Sequence, residues 1–593
     1  MMKCLNKYGV NRCSVVTITM LLLIYVSATL DTHLFVYPSL SRSLISGLFV
    51  LLLTSVTLIS CIVRKRSYLI NKVSWFVLAW IIYIIIHYAI VNPHEEYKTT
   101  YLVASLLLIP TVSALLHYRL INRVQCETVI LLVTVLHIIF VLAQWIGLVS
   151  SENIYFTLTG SNDNPTVTSL YLVGCVPVIV ARLYHGGYRI LYFCFLILCL
   201  VCIGALRCRT AYIGLTVELL VAIAMFFRKR KVRIPKSYSY PLLFMLLLTS
   251  VSAGSKLYDM KRDSADGRIL IWKLSSKMII EKPQGHGYGL FEKYYNLRQT
   301  DYFANEISTY LERRNADHVI TPYNDFLEHG VEGGVIGMAL LIGFYVICII
   351  KSFRQGLLTE TSILCAYAVM SLTNFIVATI QPFLLIGSVV ALLHAHQSCE
   401  IPKHNEQQII AVSTISTIMF LLIGILVCRM VKITYAQMSL CEIRHLMNTG
   451  MTVDDSSFSE IEQNIATSEA FWNARAQNAA MMDSLNDSFT YLLKASAYSS
   501  TTQLYYGLGK ICDLMKQKEK SRRFMKILSN MQPNRLYPKY ELMKSYAADK
   551  ETDSALIYAN DIAEIVPKVK TDLSDKIQKD ANIYISTNNE QKQ

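Results

Sequence analysis

The chain has 593 residues, of which 53% are hydrophobic and only 17% charged, and a mean hydropathy of +0.38, values that exclude a soluble globular protein of this size. A net charge of +14 would suit a nucleic-acid binder in a soluble chain, but many of these Lys and Arg residues stand in short clusters between apolar runs, the pattern that sets membrane topology. The 15 Cys lie mostly inside apolar stretches, with no zinc or disulfide spacing.

At the N-terminus Lys3, Lys7 and Arg12 precede an apolar run from Cys13 to Leu30, which is long enough to read as a first spanning helix rather than a signal peptide. Further runs follow at residues 43–63, 69–91, 100–118, 128–149, 166–184, 188–206, 210–227, 239–254, 331–350, 361–380, 382–397 and 408–428. The expected fold is therefore all-α, a polytopic transmembrane bundle of about 12–13 spans. With the N-terminus placed in the cytoplasm, the inward connections carry Arg64 to Arg66 and Lys72, then Arg119 and Arg123, then Arg182 and Arg189, then Arg228 to Arg233. Outward connections are poor in cations, except for the tight turn Arg207–Cys208–Arg209. An arginine there either snorkels to the headgroups or has a task at the outer surface.

The long segment from 255 to 330 falls outside the cytoplasm by the same count. Loops of that length are usually functional. Residues 268–280 read as a helix with Ile269, Trp272 and Met278 on one face, and the turn-rich stretch Pro283 to Gly289 follows. After Arg429 the composition turns polar and amphipathic to the end. Pro533 and Pro567 stand 34 residues apart, the tetratricopeptide period; Tyr505, Leu508 and Gly509 fit the first unit, and Leu542, Tyr546 and Ala555 the second. Two units do not bury a core alone, so the helical region before Ser500 is expected to complete the solenoid. The chain thus divides into a membrane domain, 1–432, with the loop 255–330, and a helical soluble domain, 433–593.

Four features gather on the outer face: Arg209 in CRTAYIGL, Arg268 in DGRILIW, the PQGHGYG turn with Gly285 and Gly287, and TPYNDFLEHGVEGGVIG. In this order and topology the membrane portion resembles the O-antigen ligase and O-antigen polymerase superfamily of bacterial cell-envelope glycosyltransferases. That family pairs an Arg at the outer end of a helix with a loop Arg before a Trp. It also has an Asn near the loop's end, followed after nine residues by Gly, two variable residues and a small one; Asn324, Gly334 and Gly337 fit. The tail resembles one appended to some members.

The resemblance implies metal-independent transfer of a glycan from an undecaprenyl diphosphate carrier to lipid A core, a growing glycan or a protein hydroxyl, at the periplasmic face of the inner membrane. No cofactor is implied. Partners would be the lipid-linked donor, the acceptor, membrane lipid and a protein held by the tail. Arg209 and Arg268 would stabilise the leaving diphosphate, for which planar guanidinium groups are well shaped, with Arg207 beside them as a substrate contact. The family's ligases commonly place His before the Asn, where this chain has Tyr323. The acceptor base then falls among His286, His318 and His329; His318 is the candidate, against an exposed loop histidine with no role. Tyr323 and Asn324 would contact substrate, although Asn324 could instead order the loop end. Trp272 is a sugar platform or an interface anchor, and Gly285 and Gly287 form a phosphate nest or a packing turn. The rival to an enzyme is a polytopic envelope-assembly factor whose tail recruits partners.

Overall fold

The computed structural model describes residues 12–31, 33–91, 96–151, 153–229, 262–394, 406–567 and 570–590. Among these every regular element is helical. The membrane domain opens with α1 (Arg12–Thr29), α2 (Pro38–Val63), α3 (Lys72–Ile90), α4 (Glu96–His117), α5 (Arg123–Trp145), α6 (Pro165–His185), α7 (Arg189–Ala205) and α8 (Arg209–Lys229). The starts are written locally. Asn122 and Gln125 form a reciprocal capping box on α5, and Asn164 caps α6 ahead of Pro165. The run at 239–254 lies outside the described residues.

The outer segment contributes α9 (Arg262–Glu281), α10 (Phe291–Asn305) and the short α11 (Tyr310–Asn315). Three more helices return to the bundle: α12 (Asp325–Gln355), α13 (Leu358–Met370) and α14 (Ile380–Leu392). The last, α15 (Glu406–Asn448), enters the tail. Eight of these helices are long and apolar enough to cross a bilayer, and four more are apolar but shorter, so this is a multi-pass membrane protein.

Cations collect at one end of the bundle. Arg66 lies over the Tyr118 ring, Arg123 and Arg182 converge on Glu127, Arg123 also reaches Glu360, Arg228 bonds the Phe353 carbonyl, and Lys351 meets His394. These are the arginine-bearing connections that the sequence assigns to one side, together with the α12–α13 turn and the end of α14. Arg209, Arg268 and the outer segment sit at the opposite end.

Two details correct the sequence reading of the late spans. Helix α12 would be about 46 Å long if straight, longer than the roughly 30 Å of hydrocarbon. It breaks at Gly334 (φ 68°, ψ −171°), so that Asp325 to Gly333 form a separate, largely buried piece of about two and a half turns ahead of the crossing portion. Helices α13 and α14 have 13 residues each, only about 20 Å. Their connection, 371–379, does not extend them but dips inward, with Ser371, Asn374, Ile376 and Val377 buried. It is held by Asp325, whose carboxylate accepts the amides of Ile376 (2.9 Å) and Val377 (3.1 Å) while its own amide donates to Ser371 O.

In α9 the buried stripe is Leu270, Ile271, Leu274 and Met278, and Ile269 is exposed, which corrects the expected face. These residues pack with Phe291, Tyr295, Tyr302 and Val319 into a small core belonging to the outer segment itself.

The tail continues as α16 (Asp455–Ile465), α17 (Glu469–Met481), α18 (Leu485–Ala495), α19 (Thr502–Leu514), α20 (Lys518–Met531), α21 (Leu536–Ala548), α22 (Thr552–Glu564) and α23 (Asp572–Glu590). Successive helices pack as hairpins, α17 on α18, α19 on α20 and α21 on α22, with each pair touching the next. Gly509 is small because a Cβ would sit 2.7 Å from Met525 Cε, and Tyr505, Leu508, Leu542, Tyr546 and Ala555 are buried where the repeat requires them. Lys539, standing where the repeat has an aromatic, is buried against Asp561.

The Gly334 break generates a test. Its φ and ψ belong to glycine, and a Cβ there would run into the Pro283 carbonyl. Gly334→Ala is expected to cost about 2 kcal/mol or more, read as a lower unfolding midpoint and yield in detergent. Gly343→Ala, where a Cβ meets only Phe76 at 3.5 Å, should be neutral.

Candidate active site

A cavity of about 600 Å³ opens between α9, the irregular stretch that follows α11 (316–323) and the inward dip at Phe375. Arg268, His318 and Tyr323 all line it, with Asn164 and Phe375. Arg268 rises from α9, donates to the Thr373 carbonyl (2.9 Å) and lies over the Tyr323 ring at 4.6 Å from its centre. Burial lowers its pKa from the usual arginine value; Tyr323 opposes this, and the cation of Arg209 adds to it. Arg268 thus brings a cation to the cavity wall, with the charge of Arg209 close enough to act on it, an arrangement that attracts an anion. Arg209 begins α8 beside Thr210, whose hydroxyl accepts from Asn374 (3.2 Å), so the dip that carries Thr373 and Phe375 is tied to the arginine turn. Arg207 stands exposed in the turn itself with φ 49°.

Tyr323 also has positive φ, 52°, a conformation uncommon for a bulky residue. The strain turns its ring under the guanidinium at the point where the chain enters α12. The neighbouring Asn324 has both ends of its amide engaged: Oδ1 accepts from Leu327 N as the α12 cap, and Nδ2 donates to Leu372 O (3.0 Å). It is a strut between two walls of the site, in keeping with the loop-ordering role that the sequence offered for it.

Trp272 does not line the cavity. Its indole donates to Pro322 O (2.9 Å) and its ring packs on the outer-segment core, fixing the approach to Tyr323. The PQGHGYG turn is likewise not a phosphate nest. The amide of Gly285 donates to Lys282 O, that of His286 to Val331 O (2.8 Å) and that of Gly287 to Glu332 O (2.9 Å). A Cβ on Gly285 would strike Glu332 O, so this glycine is needed for close approach to broken α12.

The three loop histidines have separate fates. His286 packs against Tyr294 with its Nδ1 buried, and burial, with the Lys282 charge, pushes its pKa down to about 4. His329 is buried in α12 against Trp80 and Tyr288. His318 alone of the three lines the cavity, with Nε2 2.6 Å from Glu292 on α10.

The sequence reading missed Glu292, Asp325, Asn164 and Phe375. Asn164 was recoverable as an Asn-Pro helix start, but the others act through contacts with no local period. It also missed the cluster that seats the first part of α12: Lys98 of α4 bonds both Glu328 and Glu332 (2.9 Å to the latter). Among the described residues no group of three or more His, Cys, Asp or Glu is placed to hold a metal ion.

No match is found among proteins of curated function. Among solved structures, a hetero-tetramer of APC/C, Cut9–Hcn1, matches at 8% identity over 81% of this chain and 76% of that chain, with a TM-score of 0.21, too low to carry an argument. Residues 194–342, which contain both arginines and the whole cavity-lining stretch 315–323, match the family model described as O-antigen ligase. Through this segment, about a quarter of its length, the chain is similar to the O-antigen ligases.

Proposed function

We propose that the chain transfers an oligo- or polysaccharide from an undecaprenyl diphosphate carrier to an acceptor hydroxyl, at the periplasmic face of the bacterial inner membrane. The observation that carries this reading is the convergence of Arg268, Tyr323 and His318 on one cavity, with Arg209 alongside, at the end of the bundle away from the cation-rich connections. The diphosphate enters against Arg268 and Arg209. As the sugar C1–O bond breaks, its electron pair leaves on a phosphate oxygen, and the two guanidinium groups stabilise the charge that develops there. The acceptor oxygen attacks C1 while His318 takes its proton. Tyr323 holds the Arg268 plane, and the dip at 371–377 supplies the opposite wall. The chemistry asked of the protein needs no metal, since the arginines take the place of a divalent ion at the diphosphate. Acceptor choice falls to the tail, whose hairpin stack presents an extended surface.

The arginine fork and its stacking partner are separable by mutation. Arg209→Lys and Arg268→Lys should each reduce glycan transfer by 10-fold or more, on the order of the loss of a bidentate contact, with protein levels unchanged. Tyr323→Phe keeps the ring under Arg268 and should be mild; Tyr323→Leu removes a cation–π contact of about 1 kcal/mol and should weaken donor binding several-fold. His318→Ala should lower turnover by about 100-fold or more at saturating donor. Full transfer by both Lys variants would remove the diphosphate role, and a strict need for added Mg²⁺ would argue against the mechanism.

Orientation is tested by reporter fusions at Asn305 and near Lys520, both expected to be active as periplasmic reporters. Cytoplasmic activity at Asn305 would overturn the assignment.

A further inference from the structure

His318 is held from two sides by the tail. On its side-chain face, Nε2 meets the Glu292 carboxylate at 2.6 Å. That carboxylate also accepts from Ser499 Oγ (2.9 Å), the Ser500 amide (3.1 Å) and Ser500 Oγ (3.2 Å), all in the α18–α19 turn. The next residue, Lys293, reaches Ala497 O (2.6 Å) in the same turn. On its main-chain face, the His318 amide donates to Asp317 Oδ1 (2.9 Å), and Asp317 receives Gln532 and Arg535 (3.3 Å) from the α20–α21 turn. Asn534 in that turn donates to the carbonyls of Arg314 (3.0 Å) and Ala316 (2.6 Å), and Gln299 donates to Met531 O (2.8 Å). The stretch 314–318 that walls the cavity is thus tied to α10 on one side and to the tail on the other.

We propose that Glu292 is the positioning carboxylate of His318, and that the tail, by seating Glu292 on the Ser499–Ser500 turn, completes the catalytic centre rather than merely recruiting an acceptor. This rests on the reading of His318 as the base. A carboxylate on one ring nitrogen fixes the tautomer and orientation of the imidazole and offsets the charge it gains on taking a proton, leaving Nδ1 for the acceptor hydroxyl. The ion pair recorded for Glu292 is with His318, and its other partners are neutral donors that hold it in place without cancelling its charge. An acceptor or partner that shifts the α18–α19 turn therefore acts on the base through Glu292.

The test uses the full-length protein in lipid nanodiscs, with undecaprenyl diphosphate-linked glycan from the host as the probe and release of undecaprenyl diphosphate as the readout. Glu292→Gln should lower kcat about 10- to 100-fold with the donor KM within twofold. In a His318→Ala background the same substitution should cost nothing further, because it acts through the absent imidazole. The pair Ser499→Ala and Ser500→Ala should lower kcat several-fold, again with KM unchanged, and this pair carries the test if Glu292→Gln does not fold. Multiplying losses in the Glu292→Gln/His318→Ala double variant would overturn the proposal, as would full kcat in Glu292→Gln or in the serine pair while His318→Ala is inactive. Full activity of His318→Ala would instead overturn the base assignment itself.

Discussion

The outer half of the molecule depends on an exchange of backbone hydrogen bonds at the break in α12. A helix interrupted near the membrane leaves amides and carbonyls without partners, and hydrocarbon offers none. Here the Pro283–Gly287 turn supplies them: Val331 O and Glu332 O accept from His286 and Gly287, and Val335 N donates to Pro283 O. Tyr83 and His87 of α3 extend the join, bonding Gly333 O and Gln284 O. Glycine is needed on both sides, at 285 and 334, because either Cβ would enter the other strand's backbone. The break kinks the first turns of α12 off the line of the rest, and from there Asn324 and Asp325 reach 371–377.

From that join the cavity follows. Asp325 pulls the α13–α14 connection inward, and Thr373 of that connection fixes Arg268. Trp272 pins Pro322, and the strained Tyr323 then presents its ring beneath the guanidinium. Charge is arranged to match. Lys98 seats the first part of α12 by bonding both Glu328 and Glu332, which offsets the charge of two buried carboxylates.

The tail is part of this architecture. Helix α15 carries the chain along α2 to the outer end, where Met430 packs on Gly47, and the hairpin stack then folds back over α10. Leu297 of α10 joins the tail's apolar cluster while the two polar turns grip 292–293 and 314–317. A module that reads from sequence as an appended binding surface is, in three dimensions, one wall's support.

Much of the frame was legible in the chain alone, because its causes are local or periodic. Most apolar runs of spanning length, the gathering of cations at one end and the 34-residue repeat appear among the described residues as helices, helix ends and stacked hairpins. Tertiary structure decided which of several chemically equivalent groups met the cavity. His286, His318 and His329 look alike in sequence, yet one stacks on Tyr294, one is buried in α12, and only His318 lines the pocket. The roles of Gly285, Gly287, Asn324 and Trp272 were decided by partners 45 to 50 positions away, and Glu292 by serines more than 200 positions away. Pairings at such separations leave no period in the chain, so only the packed molecule could assign them.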